Sequence, residues 1–120
     1  ACRCPVMMLT ARDPALPFPT WRYATHERRL MLRNWEIAWC YLASDEFTEN
    51  TVMLDSDQLV YRDLSAWFQP GMDLGVLILR PTKNGNGFPI INGVQFWPIR
   101  QKAKLAAFYA RGAGRGAKPA

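Results

Sequence analysis

Val52-Met53-Leu54 is an apolar run that stops abruptly on Asp55-Ser56-Asp57, and this break constrains the chain more than any other feature. A short apolar run ended by acids reads as a buried strand leaving a sheet. On an extended backbone, residues two apart project to the same side, so the two carboxylates face each other and repel. The pairing becomes favourable when a hard divalent cation, Mg²⁺ or Mn²⁺, sits between them and phosphate oxygens. In open α/β sheets ligands also bind beyond the carboxyl ends of the strands. The bland reading is a pair of loop acids, one capping the next turn.

The remaining segments read as a small α/β unit. Four prolines, Pro5, Pro14, Pro17 and Pro19, leave no periodic pattern before Thr20, so residues 1–25 read as a proline-rich arm. A helix is predicted from Glu27 to Ala43, with Met31, Trp35, Ala38, Trp39 and Leu42 on its apolar face and Arg29, Arg33, Glu36 and Cys40 opposite. Thr25 is its expected N-cap, with Glu27 at the positive end of the dipole. Ser65 to Phe68 reads as one helical turn broken by Pro70-Gly71. Asp73 to Arg80 reads as a second strand with no wet face. Ile90 to Trp97 reads as a third strand interrupted at Asn92-Gly93, either a hairpin turn or a close approach of backbone to ligand. A second helix is expected from Ile99 to Ala110, with Ile99, Ala103, Ala106 and Ala110 on one stripe and Gly112 ending it. Residues 112–120 read as a flexible basic tail.

Composition excludes several classes. No run approaches the roughly 18 apolar residues of a bilayer span, and no signal peptide is visible. The net charge of +5 includes Arg111, Arg115 and Lys118 in the last ten residues, leaving 12 basic against 10 acidic side chains in the body. Nucleic acid is therefore not the expected partner. Cys2, Cys4 and Cys40 form neither a disulfide framework nor a four-ligand zinc set, which suits a reducing, cytoplasmic setting. Val60 stands where a calcium loop of the EF-hand kind needs glycine. His26 reads as a helix-start residue. Trp35 and Trp39 read as core rather than a sugar-stacking surface formed with Trp67 and Trp97.

Taken in order, the apolar strand, Asp55-Ser56-Asp57, the pair Leu59-Val60, Asp63-Leu64 with Trp67-Phe68, the segment Asp73-Leu74-Gly75-Val76 and the segment Ile91-Asn92-Gly93-Val94-Gln95-Phe96 resemble the glycosyltransferases of the GT-A fold. The resemblance covers about Arg28 to Arg111. It implies a partial GT-A, Rossmann-like core over residues 26–111, a small mixed sheet with helices packed on it. It also implies a metal-dependent enzyme that moves a sugar from a nucleotide diphosphate sugar to a glycan or other hydroxyl acceptor. Carried over by position, Asp55 and Asp57 would hold Mn²⁺ or Mg²⁺. Asp55, Ser56 and Asp57 would meet the donor, and Asn92 with Gly93 would line the sugar or acceptor pocket. No catalytic base or nucleophile is assignable. The nucleotide-binding strand and helix that such enzymes place before the motif are not visible after Ala1, so the chain reads as the central and C-terminal part of a larger transferase.

Two other readings compete. A phosphatase of the haloacid dehalogenase type would use Asp55 as nucleophile and Asp57 as acid and base, although Gln58-Leu59 and the long preceding helix depart from that pattern. A non-catalytic basic module would bind RNA through Arg111-Gly112 and Arg115-Gly116 with Phe108 and Tyr109.

Overall fold

The computed structural model describes residues 5–10, 19–25, 28–56, 58–78 and 90–114. They are of the α/β class and fall into two compact units, one formed by 49–100 and the other by the flanking segments 5–48 and 101–114. Cys2, Cys4, His26, Glu27, Asp57, Arg115 and residues 79–89 lie outside the described residues.

The flanking unit is built on two helices, α1 (Leu30–Ala43) and α2 (Lys102–Gly112), which pack on each other, and on two short parallel strands, β1 (Met8–Thr10) and β2 (Thr20–Arg22). The strands fall inside the span expected to be an arm, and three residues each is too few to show a period. α1 starts three residues later than expected, with Arg29 at its N-cap and no side-chain cap, so Thr25 does not cap it. Ala38, Tyr41 and Leu42 are buried as the apolar period requires, but so is Glu36, which the period placed on the polar side. The cause is that α1 is covered from two directions. Trp35 meets Tyr109 of α2 at 4.7 Å, whereas Tyr41 stacks on Trp21 of β2 at 5.1 Å. Six residues separate Trp35 from Tyr41, roughly 240° around the axis.

α2 is preceded by a 3-10 turn at Ile99–Gln101. Its buried side chains are Leu105 and Tyr109, while Ala103 is exposed, so the alanine stripe is not the packing face. Leucine and tyrosine bury far more apolar area than alanine, and they orient the helix.

The C-terminus of α1 is held by side chains instead of a glycine. Ser44 donates its only hydroxyl proton to the Tyr41 carbonyl at 2.7 Å and accepts from the Glu46 N–H at 3.3 Å. That leaves Tyr23 Oη, 3.3 Å away, as the donor to Ser44 Oγ. Burial raises the Tyr23 phenol above its ordinary pKa, which keeps it a donor. Lys102 Nζ, from the first turn of α2, donates to the carbonyls of Ser44 and Phe47. α1 has no basic residue in its own last turn, and Lys102 supplies the missing charge. A cation at the start of α2 opposes that helix's dipole by about 0.3–1 kcal/mol, less than the roughly 1.5–3 kcal/mol of a charged hydrogen bond. Lys102→Met is therefore expected to cost about 2 kcal/mol in urea unfolding. A loss within error of zero would show that the two carbonyls are satisfied without it.

The central unit carries an antiparallel sheet of β3 (Thr51–Leu54), β4 (Gly75–Ile78) and β5 (Ile90–Trp97), in the order β3-β5-β4. Among the described residues, parallel pairing is confined to β1 and β2. Since β3 and β4 both run against β5, they are the sheet's edges. β3 is accordingly half-buried, with Leu54 exposed, and it is β5 that is buried from Gly93 to Trp97. The expectation that β3 is a buried strand is thus corrected, because an apolar run of four residues does not say whether a strand is central or peripheral.

Register assigns the faces. Val52 and Leu54 pair with Phe96 and Val94 on one side, and Thr51 and Met53 pair with Trp97 and Gln95 on the other. A 3-10 turn at Ser65–Trp67 brings Trp67 parallel to Phe96 at 6.3 Å and Phe68 edge-on to it at 5.3 Å. The N–H of Ser65 is accepted by Asp63 Oδ1 at 2.9 Å. That bond holds the Asp63 carboxyl below its usual range, so the contribution of this turn is present at neutral pH and is lost as pH falls through the lowered value. Gly75 faces Phe96, whose Cβ lies 2.8 Å from where a Gly75 Cβ would stand.

Candidate functional site

β5 runs unbroken through Asn92-Gly93, so this step is not a hairpin turn. It lies where the β4–β5 ladder slips. Val76 pairs with Gln95, but the next residue, Leu77, pairs with Ile91, leaving Asn92, Gly93 and Val94 without partners on β4.

On the other side of β5 the same step meets the end of β3. The Leu54–Val94 pairing places Asp55 beside Gly93, and the Asp55 N–H donates to the Gly93 carbonyl at 2.9 Å. The chain then reverses, with the Gln58 N–H donating to the Asp55 carbonyl at 3.1 Å. This tight turn carries Ser56 at the surface and folds two side chains back over the glycine. A Cβ on Gly93 would lie 2.8 Å from Asp55 Oδ2 and 3.4 Å from Gln58 Nε2. A Cβ here would displace the carboxylate, the free end of an exposed side chain, from its place over the backbone. Gly93 is buried, while Asp55, Ser56 and Gln58 are exposed.

Two motifs 37 residues apart in the sequence, Asp55-Ser56 and Asn92-Gly93, therefore form one place. Asp57 lies outside the described residues. Among the described residues no hydrogen bond or ion pair reaches the Asp55 carboxylate, and no three His, Cys, Asp or Glu side chains converge as a metal site. A carboxylate in this setting can contribute one or two oxygens to a hard cation whose other ligands are water, phosphate or a further acid. Gln58 adds a neutral donor and acceptor beside it. The sequence reading passed over Gln58, and the signal was its i+3 spacing from Asp55, the spacing of a reverse turn.

The aromatic residues divide cleanly. Trp97 is fully buried and bonds Gln95 Oε1 through Nε1 at 3.2 Å, and Trp35 and Trp39 are half-buried on α1. Trp67 and Tyr61 are exposed, as are Leu59 and Val60 after the turn. Tyr109, one of the two rings offered for stacking on nucleic acid, is buried, and only Phe108 remains accessible. No helix among the described residues is long and apolar enough to cross a membrane. Comparison of the chain with models of protein families, with curated proteins and with solved structures finds no match in any of the three.

Proposed function

We propose that the Asp55 end of β3 is the metal and donor end of a glycosyltransferase that moves a sugar from a nucleotide diphosphate sugar to a hydroxyl acceptor. The observation that carries this reading is the Asp55 carboxylate lying over a glycine whose side chain would displace it, exposed and with no described protein partner. Unpartnered and held by the backbone, such a group is suited to an external cation. Asp55 and Asp57 would hold Mn²⁺ or Mg²⁺, which, when bound, offsets charge developing on the leaving diphosphate. The chain's own residues have simpler roles. The Asp55 N–H to Gly93 bond fixes where the strand ends, and the Asp55–Gln58 turn directs Asp55 and Gln58 to the same spot. Gln58, neutral and able to donate and accept, suits a sugar hydroxyl, and Asn92 with Gly93 forms the adjoining backbone.

Mn²⁺ titration of the full chain, followed by loss of the free-ion paramagnetic resonance signal, tests the reading with and without a panel of nucleoside diphosphates. One bound ion per chain is expected, held more tightly with one of the diphosphates. Asp57→Ala and Asp55→Asn should each weaken it at least about tenfold, roughly 1.4 kcal/mol. Gly93→Ala keeps every charge but displaces the carboxylate, and should weaken the ion by a similar factor. Unchanged Mn²⁺ affinity in Asp57→Ala and Asp55→Asn would reject the metal role and the transferase reading with it.

A further inference from the structure

Seven large apolar side chains are exposed among the described residues, and five of them, Leu54, Leu59, Val60, Tyr61 and Trp67, fall within fourteen residues of the central unit. Single exposed apolar residues are ordinary, but a concentration of them marks a surface that meets something other than water. Exposure alternates along the stretch. Leu59 is 76% and Tyr61 82% exposed, whereas Val60 is only 37% exposed. That is the period of an extended chain.

The backbone here is equally open. The turn from Asp55 closes at the Gln58 N–H, and the next backbone bond joins Trp67 to Leu64. Among the described residues, 59–62 make no backbone hydrogen bond. Leucine, valine and tyrosine in succession favour a strand, yet among the described residues no strand pairs with them. The segment is nevertheless anchored at its far end. Asp63 accepts the Ser65 N–H, which joins the segment to the turn carrying Trp67, and the Trp67 ring is braced by the parallel ring of Phe96. Trp67 is still 59% exposed, so it presents a fixed ring that costs little entropy to use.

Charge selects the occupant. In a chain of net +5, residues 54–69 hold Asp55, Asp57 and Asp63 against one base, Arg62. This local reversal repels phosphate backbones, anionic lipid and the same acids on a second copy of the chain. A neutral sugar stacks on a ring but offers no ladder of N–H and C=O groups to 59–62. An extended peptide offers that ladder, and its lysine or arginine side chains match the acids and sit favourably over an exposed indole.

We propose that residues 59–62, with Trp67, take up an extended basic peptide as an added strand. The peptide backbone pairs with 59–62, its apolar side chains cover Leu59 and Tyr61, and its cations meet Asp63 and the acids at the end of β3. This docking requires neither a bound metal nor sugar transfer, and it survives failure of the glycosyltransferase reading.

Fluorescence anisotropy of a labelled peptide of about ten residues alternating lysine with valine, titrated with the full chain, tests the docking. A chelator keeps divalent ions off Asp55 throughout. Saturable binding is expected, weakening as salt is raised, with none to the peptide carrying glutamate in place of lysine. Methylating the backbone nitrogens of the valines removes the donors of one peptide edge, and methylating those of the lysines removes the other edge's. Every charge is kept, and one of the two peptides should bind at least about tenfold more weakly. Leu59→Ser with Tyr61→Ser, and separately Trp67→Ala, should each weaken binding by a similar factor. Asp63→Asn keeps the acceptor for the Ser65 N–H and loses only the charge, and should cost about two- to fivefold. Val6→Ser removes a similarly exposed apolar side chain from the flanking unit and should change affinity by less than about twofold. Circular dichroism checks that each variant is folded, and should Trp67→Ala unfold, the exposed double variant and the methylated peptides still decide the matter. No binding of the lysine peptide, equal affinity for both methylated forms and the parent, or unchanged affinity in Leu59→Ser with Tyr61→Ser would overturn the proposal. Binding of a neutral glucan oligosaccharide through Trp67, without peptide binding, would overturn it in favour of a sugar platform.

Discussion

Trp97→Ala is expected to lower the stability of the central unit by about 4 kcal/mol, the upper range for removing a buried aromatic side chain. Trp97 closes β5, the central strand of its sheet, and it is completely shielded from solvent. Its indole N–H is bonded to Gln95 Oε1, two residues earlier on the same face. Truncation thus opens a cavity and removes a buried hydrogen bond together. Since small domains are stable by only about 5–15 kcal/mol, the variant should be largely unfolded at moderate urea concentrations. Trp97→Phe refills most of the volume without the N–H and should cost about 1–2 kcal/mol. Urea unfolding followed by far-ultraviolet circular dichroism separates the two. Equal losses would mean that the hydrogen bond, not the volume, dominates.

Local pattern carried the sequence reading where the deciding forces were local, and failed where pairing or relative size decided. β5 was legible because eight residues with five apolar side chains, three of them β-branched, leave few alternatives. The extent of α1 was legible to within three residues. Its start was not, since Arg28-Arg29 offers no capping side chain and the helix begins there without one. Edge and centre could not be told apart for β3, because its place depends on a partner about 40 residues away. The same holds for the candidate site. Asp55 stood out as chemistry and Asn92-Gly93 as an oddity, but only the register Leu54 to Val94 puts them together. On α2 the alanine stripe misled because spacing alone ignores area, and Leu105 with Tyr109 outweighed three alanines.

Gly112 shows how a correct landmark can have a different cause. A glycine near the end of a helical pattern reads as its terminator, yet Gly112 is the last residue of α2, and the left-handed turn is taken by Gly114 at φ 76°. Gly112 is small because Trp35 lies against it. A Cβ there would stand 2.2 Å from Trp35 Cε3 and 2.6 Å from Cζ3, far inside contact distance. The ring has little room to retreat, since it also packs on Phe108 and Tyr109. Two opposed effects follow from Gly112→Ala: helix propensity favours alanine by about 1 kcal/mol, and overpacking a rigid ring costs roughly 1–3 kcal/mol or more. At these distances the clash wins, and a net loss of about 2 kcal/mol is expected, larger for Gly112→Val. Removing the ring reverses the sign. In a Trp35→Ala background the same Gly112→Ala change should stabilise by up to about 1 kcal/mol, leaving only the propensity term. Chemical unfolding of the four proteins in this cycle reads the coupling directly. If Gly112→Ala shifted stability by the same amount with and without the Trp35 ring, the contact between them would not be what holds α1 and α2 together at this end.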